Sequence, residues 1–323
     1  MFSMIELLMQ MQYNMPICRN LFSVLSERLG INVEDLLKLV RELKEQGIIR
    51  RVGAVLNYRS RGLEAALVGL QVPETEVDSI VSHINSLGGV SHNFLREHRY
   101  NIWFVIKRKS IDDIIRIVRD LVGKYKVQNY VILRSVKTYR LDVRFNLYKG
   151  ISEAKILREP DNVPKLDDVT KLSIDILREL VDIPLVEDPL GKIAERHGVD
   201  PELLINEVSK LVECRVLRDF YAVLNQEKIG FRINAMIIVK STNIEKVLSL
   251  REPTHIVYRE FVDGSEKFGE GLYLMLHAVS RDVVVRFLRE KLSGFDYQVL
   301  YSVKNLLPTM PHDIEYSPSS AGS

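Results

Sequence analysis

Cysteine is nearly missing from this chain, and so are long apolar runs and any surplus of one charge. Two cysteines, Cys18 and Cys214, are too few for a disulfide framework or a cysteine-built metal site. Both fall in apolar helical or strand-edge surroundings and are expected to be reduced core thiols. No window approaches the roughly eighteen apolar residues of a membrane span, and Met1 to Met15 lacks a basic stretch leading into a clean apolar one. A cytoplasmic protein without membrane association is the expectation. Forty-five Lys plus Arg stand against forty-three Asp plus Glu, a net of +2, so the whole chain sets up no field that would gather nucleic acid or anionic lipid. Any anion site has to be local.

What is present is ordinary globular composition, 46% hydrophobic and 27% charged over 323 residues, enough for two or more cores. The chain is also written twice. Gly47-Ile48-Ile49-Arg50-Arg51-Val52-Gly53-Ala54-Val55-Leu56-Asn57 recurs as Arg215-Val216-Leu217-Arg218-Asp219-Phe220-Tyr221-Ala222-Val223-Leu224-Asn225, with Ala-Val-Leu-Asn identical. Ahead of each copy stands a helical pattern, Leu36, Leu37, Leu39, Val40 and Leu43 in the first and Leu203, Leu204, Val208, Leu211 and Val212 in the second. A short turn before each helix makes the order that of a winged helix-turn-helix. After each copy the pattern changes to strand, helix, strand, strand, helix, strand: 66–72, 74–87, 90–97, 101–107, 111–124 and 129–136, then 233–239, 243–250, 254–262, 272–278, 281–292 and 297–303.

That order is a split βαβ, ferredoxin-like module, with two helices on one face of a four-stranded sheet and the other face seeking a partner. The expected class is therefore α+β, a tandem duplication of winged helix-turn-helix plus ferredoxin-like (βαββαβ) module. The boundaries are 1–57 and 58–148 for the first pair, a linker over 149–166, 167–225 and 226–310 for the second pair, and a disordered tail over 311–323. The two sheets are expected to find each other, making an internal pseudo-dimer.

One stretch carries chemistry. If residues 91–98 form a strand, alternation puts His92, Phe94, Arg96 and His98 on one face, with Asn93, Leu95 and Glu97 on the other. In the second copy His255, Val257, Arg259 and Phe261 obey the same arithmetic, so a His-x-x-x-Arg pair points from one face of each sheet. Four strand residues span roughly 13 Å, too wide for one metal ion and suited to a flat, multiply anionic ligand. Arginine offers a permanent planar fork for carboxylates and histidine exchanges protons near neutral pH. Carboxylate binding with proton delivery is what a cofactor-free decarboxylation requires. Bland readings compete. A lone strand histidine is commonly structural, Arg50 and Arg51 follow a helix and can be solvated, and Tyr100, Trp103 and Phe104 read as sheet core. His83, His197 and His312 carry no spacing signal, and His277 reads as a satisfied core histidine.

Helix-turn-helix followed by a ferredoxin-like module resembles the Lrp/AsnC family of regulators, over nearly the whole chain twice. The run His92-Asn93-Phe94-Leu95-Arg96-Glu97-His98-Arg99-Tyr100-Asn101-Ile102-Trp103-Phe104, with Arg50-Arg51-Val52-Gly53-Ala54, resembles the signature of the siroheme decarboxylase branch. Thr254 to Arg259 and Leu272 to His277 resemble the other subunit of that heterodimeric enzyme, which implies a natural fusion. Where that subunit has Tyr-Asn before the Leu-Tyr pair, this chain has Glu270-Gly271, so the first half carries more weight. The resemblance implies removal of two acetate carboxylates from siroheme to give 12,18-didecarboxysiroheme, in a haem or haem d route of archaea and some bacteria. It implies no added cofactor and no metal site, the iron tetrapyrrole being the substrate. It also implies a site in which Arg50, Arg51, Arg96, Tyr100, Asn101, His255 and Arg259 bind and His92 or His98 gives the proton. Two rival readings are a DNA-binding regulator and a non-catalytic tetrapyrrole carrier. Against the first, the reading helices open with Val33-Glu34-Asp35-Leu36 and Pro201-Glu202-Leu203-Leu204, whose carboxylates repel a phosphate backbone.

Overall fold

A computed structural model describes residues 3–240 and 243–307; the expected tail over 311–323 and His312 lie outside the described residues. In chain order the first copy gives α1 (Met4–Tyr13), α2 (Leu21–Leu29), α3 (Val33–Glu45), β1 (Ile49–Leu56), β2 (Glu64–Leu70), α4 (Val77–Ser86), β3 (Val90–Arg96), β4 (Ile102–Arg108), α5 (Ile111–Lys124) and β5 (Tyr130–Leu141). A hairpin of β6 (Phe145–Asn146) and β7 (Ile151–Ser152) follows, then α6 (Leu166–Val169). The second copy gives α7 (Ile174–Val181), α8 (Pro189–His197), α9 (Pro201–Glu213), β8 (Leu217–Leu224), β9 (Ile233–Lys240), α10 (Ile244–Leu248), β10 (His255–Gly264), β11 (Gly271–Ala278), α11 (Arg281–Lys291) and β12 (Asp296–Asn305). Two compact units interleave along this order. Of the described residues, one unit takes those up to Arg61, Asp142–Lys155 and Asn162–Arg232, and the other takes Gly62–Leu141, Ile156–Asp161 and those from Ile233 on.

The first unit collects both helix-turn-helix modules. α3 starts where Asn32 accepts the Glu34 N–H at 2.7 Å, and Glu34 and Asp35 favour the positive end of the helix. Its stripe of Leu36, Leu37, Val40 and Leu43 is buried. α9 repeats the device, with Asp200 accepting the Leu203 N–H at 2.9 Å and Pro201 preset for the first turn. The strand after each module pairs antiparallel with its counterpart, Val52 opposite Ala222 and Ala54 opposite Phe220, so the wing is made jointly. At Gly53, φ +150°, an added Cβ would stand 2.2 Å from the Leu180 carbonyl oxygen, and only glycine lets β1 and the end of α7 approach so closely.

The second unit collects both ferredoxin-like modules. Each sheet has the same order, β5-β2-β4-β3 in the first copy and β12-β9-β11-β10 in the second. The expectation was that two sheets would meet by their free faces. They also join edge to edge, β3 to β12 and β10 to β5, closing an eight-stranded antiparallel barrel. Closure satisfies edge N–H and C=O groups that two open sheets would leave exposed. Alternation then sorts each strand. Ala66, Val68, Phe104 and Ile106 face out, into a core with Ile80 and Ile84 of α4 and Ile114 and Val118 of α5. Leu67, Trp103 and Leu133 face in, meeting Met236, Ile238, Tyr273 and Leu300 of the other copy. Each such side chain contributes about 1.5–3 kcal/mol on full burial, so both faces hold the barrel.

Two expectations need correction. Cys18 and Cys214 are half-buried, not core, because they sit at element ends, before α2 and at the C-cap of α9. Residues 149–166, read as a linker, are tied down along much of their length. Ser152 and Ala154 are buried, the Glu159 N–H donates to the Tyr139 carbonyl at 2.7 Å, and Arg140 Nε donates to the Leu157 carbonyl at 3.1 Å. Glycine and proline marked an irregular path there without revealing how firmly it is held. Among the described residues no helix is long and apolar enough to cross a membrane.

Candidate active site inside the closed barrel

β3 carries the alternation expected of it as far as Arg96. The His92 ring lies 6.4 Å from that of Phe94, and the Arg96 guanidinium carbon sits 5.1 Å from the same ring centre. β10 is the equivalent strand of the second copy and stands on the opposite wall, with three strands between it and β3 in either direction round the barrel. Its His255 ring meets the His92 ring across the interior, centroids 6.2 Å apart and nearly perpendicular. Thr254 Oγ1 lies 2.9 Å from His255 Nδ1, and Ser91 Oγ lies 3.1 Å from His92 Nδ1.

Arg96 is the electrostatic centre of this wall. It is 4% exposed, donating from Nη1 to the Leu300 carbonyl at 3.0 Å and from Nη2 to Asn234 Oδ1 at 3.0 Å. Its Nε is buried without a hydrogen-bond partner, and among the described residues no carboxylate pairs with it. Burial alone pushes its pKa down to about 9. A buried cation whose partners are all neutral oxygens costs several kcal/mol, a cost that an arriving anion offsets. Arg259 is its counterpart on β10, 8% exposed, with Nη1 donating to Ser135 Oγ at 2.6 Å and the guanidinium 5.4 Å from the Tyr273 ring centre. Each arginine stands in register with a serine of the neighbouring copy, Arg96 with Ser302 and Arg259 with Ser135.

His98 lies beyond the end of the strand. β3 stops at Arg96, where the chain turns and the His98 N–H donates to the Arg96 carbonyl at 2.9 Å. Its ring packs on inner-facing aromatics, 6.1 Å from Trp103, 5.7 Å from Tyr100 and 5.4 Å from Phe268. Burial, then the Arg99 charge, holds its pKa below the ordinary range. The strand ends two residues before His98, so a turn and not the strand's alternation sets its position.

The remaining candidates are dispersed. Tyr100 is fully buried, with its hydroxyl 3.2 Å from Glu266 Oε1. Asn101 clips the Val72 backbone, accepting its N–H at 2.9 Å and donating to its carbonyl at 2.8 Å. Arg50 and Arg51 belong to the first unit. Arg50 is exposed on β1, and Arg51 donates to the carbonyls of Ala54 and Val181 at 2.7 and 2.9 Å.

One residue was passed over. His277, read as core, is in phase with Tyr273 and Met275 and so faces the interior, in register with the Asn234 that Arg96 grips. It is 6% exposed, and burial, with the charges of Arg96 and His92, pushes its pKa down to about 3. The same alternation count applied to β11 would have found it.

A closed barrel built from two copies of one module, with histidines and a buried arginine on its inner wall, has the chemistry of an anion-binding fold. Residues 60–140 match the AsnC-like ligand binding domain, and residues 5–50 match the siroheme decarboxylase NirDL-like HTH domain. A siroheme decarboxylase of Hydrogenobacter thermophilus is 28% identical over 93% of this chain and 91% of its own length. The siroheme decarboxylase NirD subunit of Stutzerimonas stutzeri is 33% identical over 42% of this chain and 88% of its own. The crystal structure of the siroheme decarboxylase NirDL in co-complex with an iron-uroporphyrin III analogue shares the fold, with a TM-score of 0.64 at 24% identity over 95% of this chain and 93% of that one. The chain belongs to the siroheme decarboxylase family.

Proposed function

We propose that this chain is a carboxy-lyase that converts siroheme to 12,18-didecarboxysiroheme, releasing two acetate carboxylates as carbon dioxide in a haem or haem d route. Arg96 carries the reading, a buried guanidinium with neutral partners on the strand that also bears His92, whose ring meets His255 across the barrel interior. Such a group needs an anion, and a carboxylate-rimmed tetrapyrrole supplies several. Arg96 and Arg259 bind carboxylates from opposite walls, which fixes the reacting arm, while His255 stands beside His92 as a further contact. Tyr100 and Asn101 are the binding residues that the family signature adds in this unit. When the bond between methylene and carboxylate breaks, the electron pair passes into the macrocycle, carbon dioxide leaves, and the methylene carbon takes a proton. His92 or His98 gives that proton, assistance worth about 10²- to 10⁴-fold. The iron travels with the substrate, so the protein adds no cofactor of its own.

Anaerobic incubation of the intact chain with siroheme, followed by mass spectrometry of the tetrapyrrole, tests the reading. Loss of two carbon dioxide units is the expected result. Recovery of siroheme unchanged, with tight binding, would make the protein a carrier, and recovery without binding would remove the tetrapyrrole altogether.

A further inference from the structure

The acceptors that hold Arg96 both belong to the second copy, the Leu300 carbonyl on β12 and the Asn234 amide oxygen on β9, each 3.0 Å from a terminal nitrogen. We propose that Asn234 is a positioning residue for the decarboxylation, a neutral acceptor that fixes which edge of the Arg96 guanidinium meets a substrate carboxylate without cancelling its charge. The inference rests on the proposed function and adds to it what the second copy contributes to the arginine of the first.

Asn234 is 4% exposed and in phase with Met236 and Ile238, so its amide stands on the inner wall of the barrel. A buried amide is costly unless it is bonded, and here its oxygen takes an N–H of Arg96 Nη2 while Leu300 takes one of Nη1. Both terminal nitrogens are thereby engaged. The donor left over is Nε, buried and without a hydrogen-bond partner, and a carboxylate that docks on the planar fork meets that side of it. A carboxylate in place of the amide would hold the guanidinium equally well but would satisfy its charge inside the protein. The amide leaves that charge to the ligand. The copies differ at this point. The equivalent inner position of the first copy is Ala65, in register with Lys107 as Asn234 is with His277, and a methyl group accepts nothing. Arg259, the counterpart of Arg96, donates instead to the Ser135 hydroxyl, at 2.6 Å. A hydroxyl turns about its C–O bond, whereas an amide oxygen stays in the plane of its group, so Arg96 is the arginine gripped by the stiffer acceptor. Orientation bears on rate, since a displacement of about 1 Å at a reacting group can cost about 100-fold.

The test uses the intact chain and siroheme. Affinity is read from quenching of the single tryptophan, Trp103, and the rate of carbon dioxide loss at saturating protein from anaerobic mass spectrometry of the tetrapyrrole. Asn234→Ala frees the guanidinium without touching its charge, so affinity should stay within about threefold of the wild type while the saturated rate falls at least about tenfold. Asn234→Asp keeps the shape and the acceptor but supplies an internal carboxylate, so Tm should hold or rise while affinity falls at least about tenfold. A merely structural asparagine would give the reverse, an Asp variant like the wild type and an Ala variant losing Tm and affinity together. Asn234→Ala at the parental rate, or Asn234→Asp at the parental affinity, overturns the role of Asn234 and leaves the proposed function standing. Siroheme that fails to quench Trp103 in the wild type, or that is bound and recovered unchanged, overturns the proposed function, and this inference with it.

Discussion

Acid should weaken this fold through one side chain whose contribution can be worked out. His277 is 6% exposed and held neutral, its pKa near 3, by burial and by Arg96 and His92. Unfolding returns it to water and to an ordinary value near 6.5. Between those values the unfolded chain binds a proton that the folded chain refuses. Stability linked to His277 is therefore complete above about pH 6.5 and is lost progressively as pH falls toward 3. From pH 7 to pH 5 the loss is about 2 kcal/mol, since the unfolded imidazole goes from mostly neutral to almost wholly charged while the folded one stays neutral. On a urea dependence of about 2 kcal/mol per molar, that moves the midpoint down by about 1 M. The assay is urea unfolding followed by Trp103 emission, which reports on the unit that also contains His277. His277→Gln removes the titration, so its midpoint should fall by about 1 M less than that of the wild type over the same pH interval. Parallel losses in both proteins would refute the idea that a neutral imidazole is buried there.

Arg96→Met should fold, because it relieves a buried cation of its desolvation cost, yet bind siroheme at least about 100-fold more weakly, as read by Trp103 quenching alongside circular dichroism. Gly69→Ala puts a methyl 2.9 Å from the Trp103 ring, and an overpacked inner wall costs about 1–3 kcal/mol, visible as a lowered Tm and a shifted emission maximum. His92→Ala and His98→Ala, made separately, should each lower turnover of siroheme by at least about 100-fold if that residue is the acid; parental rates in both would take the two histidines out of the chemistry. Duplex DNA should show no salt-dependent mobility shift at micromolar protein, because Glu34 and Asp35 open α3 and Glu202 opens α9; a clear shift would favour the regulator.

Much of the fold was legible because it depends on local periodicity. The repeat of Ala-Val-Leu-Asn announced two copies, the helical spacing of leucine and valine marked α3 and α9, and the change to period two located all eight barrel strands to within a few residues. β5 ran furthest beyond its expected end, to Leu141, because from Ser135 to Leu141 it is held by pairing with β10 of the other copy. His92, Phe94 and Arg96 share an inner face for the same local reason. His98 lies past the strand's end, where its place depends on what the turn packs against, here Phe268 and Trp103.

Sequence by itself determined the barrel strands, the helices of each helix-turn-helix, their order and doubling, and the side taken by residues within a strand, since each of these follows from spacing along one strand or helix. Tertiary structure decided what faces what. Closure of the barrel set His92 opposite His255, brought Asn234 and Leu300 of one copy to the Arg96 of the other, and placed His277 on the same wall. Those neighbours are far apart in the chain, and the burial that strips Arg96 of water and His277 of its charge exists only once both copies enclose them.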